Sequence, residues 1–143
     1  MQYGQTSQQP TYSSKTIRDA GLSAETTYSL AESKARDKKW LDALNLYQET
    51  LRLQREQFGT NDPQVARTLN DIAVTMSHIG GAEYYIEALR TFREALLIQR
   101  KILPVKDKET AITAKNMSIL MNEMKNIESS PTFYRKSSEY NIL

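Results

Sequence analysis

The apolar positions of residues 42–55 and 87–100 fall on one stripe of an α-helix, and the two stretches are copies of each other. The first reads DALNLYQETLRLQR and the second EALRTFREALLIQR. Ala43, Tyr47 and Leu51 recur at i, i+4 and i+8, as do Ala88, Phe92 and Leu96. A strand sends alternate side chains to opposite faces, so only a helix gathers such positions on one side. Glu49/Glu94, Gln54/Gln99 and Arg55/Arg100 are shared as well. A repeat of this length points to stacked supersecondary units, each burying a face it cannot bury alone.

Five helices follow from the pattern and its punctuation. Ser23 is a good N-cap for the first, which carries Tyr28, Ala31 and Ala35. The polar turn Asp37-Lys38-Lys39 leads to the second, expected from Trp40 to Phe58 and closed by Gly59. Asp62 as cap and Pro63 as first helical residue start the third, with Val65, Leu69, Ile72, Ala73 and Met76 apolar and Gly80-Gly81 as its stop. The fourth runs from about Glu83 to Leu103 before Pro104, and Asp107 caps the fifth, which reaches the Ser129-Ser130-Pro131 breaker. The order is A-B-A-B-A, two and a half hairpins with a period of about 42 residues and one insertion in the turn at 80–85. Small Ala31 and Ala43, and again Ala73 and Ala88, let paired helices approach closely, while Tyr47 and Phe92 fill the wedge between hairpins.

The flanks differ. Residues 1–21 are rich in Gln, Ser, Thr and Tyr, show no period, and are expected to be a flexible arm. Lys15 and Arg18 are their only basic residues, whereas a transit peptide is richer in Arg and amphipathic. Residues 22–128 form the repeat domain. Residues 129–143 form a tail that carries Phe133, Tyr134, Tyr140, Ile142 and Leu143.

Composition narrows the chemistry. There are 19 Lys and Arg against 17 Asp and Glu, a net charge of +2. Nucleic-acid binding is the alternative reading, and it wants a one-sided basic stripe that this balance does not supply. There is no cysteine and one histidine, His78. No thiolate site or histidine metal cluster can be assembled, and no glycine loop has the spacing that cradles phosphate. We expect no catalytic residue, no metal and no cofactor. No apolar run approaches the ~20 residues that cross a bilayer.

The order small, small, aromatic, small (Ala73, Ala88, Phe92, Ala95) resembles the tetratricopeptide repeat. The stretch 53–73, LQREQFGTNDPQVARTLNDIA, is similar to the long-repeat class of kinesin light chains. The chain departs from that class at Asp62, where it has His, at Asp71, the second place of its Asn pair, and at Thr50, where Ala95 supplies the small residue in the second unit. The resemblance implies an all-α, short α-solenoid acting as a non-catalytic scaffold or adaptor. It implies a peptide or partner subunit in the groove lined by the A helices. It also implies a cytoplasmic, cytoskeleton-associated setting. Carried onto this sequence, the groove positions are Tyr28 and Glu32 on the first A helix, Arg67, Asn70, Val74 and His78 on the second, and Lys115 and Ile119 on the third. Glu25 and Ile112 stand where a chaperone-tail carboxylate clamp wants Lys.

The last helix is apolar over most of its circumference, with Ile112, Met117, Ile119, Leu120, Met121, Met124 and Ile127. About three repeats are the usual minimum for a stable array. A partner subunit or a second copy is therefore expected to cover it.

Overall fold

The computed structural model describes residues 11–129, and its helices begin and end where the local signals put them. In chain order they are α1 (Ser14–Asp19), α2 (Ala24–Arg36), α3 (Trp40–Phe58), α4 (Pro63–Ile79), α5 (Ala82–Ile102) and α6 (Lys108–Glu128). The hydroxyl of Ser23 accepts from the Thr26 amide, and the carboxylate of Asp62 from that of Gln64. Asp107 accepts from the amides of Glu109 and Thr110. Each side chain satisfies donors that the first helical turn leaves without partners. Gly59, Gly80 and Gly81 close the turns at φ of 83°, 82° and 97°, a region L side chains rarely enter.

The five expected helices are α2 to α6. They form an all-α, tetratricopeptide-like solenoid in which α2 pairs with α3, α4 packs on both α3 and α5, and α6 lies on α5. We call α2, α4 and α6 inner and α3 and α5 outer. Ala31, Ala43, Ala73 and Ala88 have no exposed surface, as the close approach of paired helices requires. Tyr47 and Phe92, Leu51 and Leu96 are all buried. Gln54 explains one shared polar position: its Oε1 accepts from the Thr68 hydroxyl at 2.7 Å and ties α3 to α4. Thr50 stands where the second unit has Ala95, and its buried hydroxyl is satisfied by donating back to the Leu46 carbonyl at 2.9 Å.

The reading of the N-terminal segment as a flexible arm needs correction for its second half. Ser14–Asp19 is helical, and Ile17 is buried in the main core. The Tyr12 amide donates to Asp42 Oδ1 at 3.0 Å, and Asn45 Nδ2 donates to the Tyr12 carbonyl at 3.0 Å. The Lys34 ammonium sits 5.2 Å from the centre of the Tyr12 ring. One aliphatic side chain anchors the segment because polar groups of α2 and α3 supply the rest. One contact of α1 has a parallel in the repeat. Across α3 and α5, Arg55 pairs with Glu94 at 2.8 Å. Across α1 and α3, Arg18 lies 3.6 Å from Glu49, the repeat equivalent of Glu94. Arg52 also binds Glu49 and holds its carboxyl below the usual range. Thus α1 meets the glutamate of α3 as α3 meets that of α5. The readings of residues 1–10 and of the tail 130–143 lie outside the described residues.

Candidate partner-binding groove

Among the described residues a hollow lies on each side of α4. The first has a volume of about 560 Å³, lies between α2 and α4, and is lined by Glu25, Tyr28, Gln54, Gln57, Arg67 and Thr68 among others. The second has a volume of about 380 Å³, lies between α4 and α6 over α5, and is lined by Val74, His78, Tyr85, Asn116, Ile119 and Glu123 among others.

Tyr28 organises the first hollow. Its hydroxyl donates to Asp71 Oδ2 at 2.5 Å. Its ring meets Tyr47 edge-on at 5.6 Å, and the Arg67 guanidinium lies 5.7 Å from the ring centre. Burial, reinforced by the Asp71 charge, pushes the Tyr28 phenol well above its ordinary range, and Tyr47 follows for the same reasons. Burial also pushes the Asp71 carboxyl up to about 6; the Tyr28 hydrogen bond and Arg67 oppose the rise, and Glu32 and Glu109 add to it. The groove wall thus holds a half-buried carboxylate with one phenol donor and no cation within ion-pair distance among the described residues.

That carboxylate makes stability depend on pH with a definite sign. In the unfolded chain Asp71 ionises near 3.8, in the folded chain near 6. The folded state therefore keeps a proton that the unfolded state releases between those values, and stability rises as pH falls through that window. Asp71→Asn removes the charge and keeps an acceptor for Tyr28. We expect it to melt higher than the parent at pH 7.5, with the gap closing by about pH 4. A gap that is constant across the range would show that Asp71 titrates normally.

The eight residues carried over from the sequence do not form one cluster. Tyr28 and Arg67 line the first hollow, with half-buried Glu32 one turn from Tyr28. Val74, His78 and Ile119 line the second. His78 also stacks on Trp40, rings 4.2 Å apart and 4° from parallel, tying the end of α4 to the start of α3. Asn70 is less open than expected: it is buried, and its Oδ1 accepts from Asn116 Nδ2 at 3.2 Å, which leaves its amide donors. Lys115 is exposed and lines neither hollow; its neighbour Asn116 takes the groove position. The missed signal was the buried stripe of α6. Leu120 is buried with Met117 and Met124 beside it, and this fixes Asn116, Ile119 and Glu123 as the groove flank. Asp71 was visible only as a departure from a pattern, not as a contact of Tyr28.

Among the described residues no group of three or more His, Asp or Glu side chains is placed to hold a metal ion, and no helix is long and apolar enough to cross a membrane.

Stacked helical hairpins with small residues at the crossings and a groove on the inner helices define an α-solenoid of the tetratricopeptide type. Residues 22–83 match the tetratricopeptide repeat family, a span that covers α2, α3 and α4 and ends at the start of α5. No curated protein matches the chain. Repeats of this family generally mediate protein–protein interaction and are typically non-catalytic.

Proposed function

We propose that the chain is a non-catalytic scaffold or adaptor subunit that binds an extended peptide of a partner protein across α2, α4 and α6. The observation that supports this most is the pair of hollows flanking α4, each with polar groups still able to bond. These are the Arg67 guanidinium and the second Asp71 oxygen beside the first hollow, and the Asn70 amide at the bond to Asn116 that bridges α4 and α6. An extended backbone offers alternating donors and acceptors that such groups can meet. The groove carries both signs of charge, which favours a peptide over a phosphate backbone. The face of α6 that no described residue covers is the second contact, made to a partner subunit. The kinesin-light-chain-like class, and with it a cytoplasmic and cytoskeleton-associated setting, is part of this reading through the similarity of residues 53–73.

The test is selection of peptides from a random library on the immobilised full chain. Selected peptides should lose about 1 kcal/mol of affinity with Asn70→Ala, the usual worth of one hydrogen bond. They should weaken again with Arg67→Ala, an exposed change that leaves the core untouched. Affinity unchanged within about half that amount in both variants would refute the reading, as would a library that yields no peptide.

A further inference from the structure

The repeat shows what α6 is missing. Thr68 of α4 and Thr113 of α6 are both buried, and they set the register of one inner helix against the next. In that register Ala66, Ala73 and Met76 of α4 correspond to Ala111, Ser118 and Met121 of α6. Ala66 and Ala73 are fully buried; Ala73 and Met76 pack with Ala88 and Phe92 of α5. Their counterparts Ala111 and Ser118 are exposed, and Met121 is 48% exposed. So α6 has α5 against it as α4 has α3, but nothing among the described residues stands where α5 stands on α4.

Charge adds a second, independent mark. Each outer helix has a glutamate that meets an arginine: Glu49 meets Arg18 of α1, and Glu94 meets Arg55 of α3. Arg100 holds in α5 the place that Arg55 holds in α3. It is exposed, and no carboxylate among the described residues pairs with it. Arg93 and Lys101 next to it are exposed and basic. The seated outer helices also share an order: alanine, an aromatic four residues on, a glutamate two further. It reads Ala43, Tyr47, Glu49 in α3 and Ala88, Phe92, Glu94 in α5.

We propose that the α5–α6 end of the stack is a socket for one amphipathic helix of a partner protein. That helix presents a small residue to Ser118, an aromatic to the wedge beside Met121, and a carboxylate to Arg100. This deepens the reading of α6 as a partner contact and does not depend on the groove. Among the described residues no helix is free to fill it. Both copies of the order are already seated, and in 130–143 the aromatics Phe133, Tyr134 and Tyr140 are followed two places on by Arg135, Lys136 and Ile142.

The probe is a labelled synthetic peptide of residues 82–102, AEYYIEALRTFREALLIQRKI, titrated into the full chain and followed by fluorescence anisotropy. We expect saturable binding that weakens about fivefold or more when the peptide carries Glu94→Lys, and equally when the chain carries Arg100→Glu. The two reversals together should restore affinity. Displacement of the chain's own α5 by the peptide would not give this pattern, because α5 pairs Glu94 with Arg55. No saturable binding, or equal affinity in all four combinations, overturns the proposal. Tighter binding after deletion of 130–143 would make that segment the occupant and overturn it. So would a concentration-dependent dimer of the chain, seen by sedimentation and abolished by Arg100→Glu. Arg67→Ala should leave the peptide's affinity unchanged, so loss of library binding and loss of this binding report on different surfaces.

Discussion

Phe92→Ala should lower the stability of the chain by about 3–5 kcal/mol, the usual cost of truncating a fully buried aromatic. The ring is 1% exposed and shares a cluster with Ala73, Ala88 and Leu120. It therefore joins α4, α5 and α6 at once. Leu120 and Thr113 are the only residues of α6 that are buried among those described. With the ring gone, α6 keeps little to hold it, and its amides should exchange with solvent well before those of α3 and α4. Chemical denaturation measures the total and hydrogen exchange the distribution. A denaturation midpoint equal to the parent's would show that the ring does not wedge the hairpins.

Leu51→Ala and Leu96→Ala should each cost about 2–5 kcal/mol, a large share of the ~5–15 kcal/mol that a domain has in total. The two leucines hold equivalent places and are 9% and 6% exposed. Their surroundings differ. Leu51 belongs to the large core cluster, which Ile17 of α1 joins from one side and Ile98 of α5 from the other. Leu96 stands outside both clusters. The loss at Leu51 should accordingly be the larger of the two. A melting temperature unchanged by Leu96→Ala would mean that the repeat register is wrong.

The helices were legible in the sequence because their signals are local. A cap at Ser23, Asp62 or Asp107 and a stop at Gly59 or Gly80 act within one turn, and the alanines at the crossings declare themselves by repeating. The groove was legible where a side chain's direction follows from helix periodicity alone, as for Tyr28, Arg67 and Val74. It was less legible where a distant residue decides the outcome. Asn70 is taken up by Asn116, which is 46 positions away, and Asp71 by Tyr28, which is 43 positions away. Nothing near either residue in the sequence announces its partner. The helix α1 escaped for the same reason: its anchors Asp42, Asn45 and Glu49 look like an ordinary polar face until something docks on them.

That docking gives the array a direction. Because α1 already supplies an arginine to Glu49, that glutamate is taken before an incoming chain can pair with it, whereas Arg100 of α5 has no carboxylate partner among the described residues. Chains joined head to tail would need two such complementary ends to propagate into a fibre. With Glu49 engaged from within the chain, the arginine-to-glutamate pairing that joins α3 to α5 is not open to repetition between the α5 end of one chain and α3 of the next. A complex made through α6 therefore ends in one partner helix per chain rather than in a fibre.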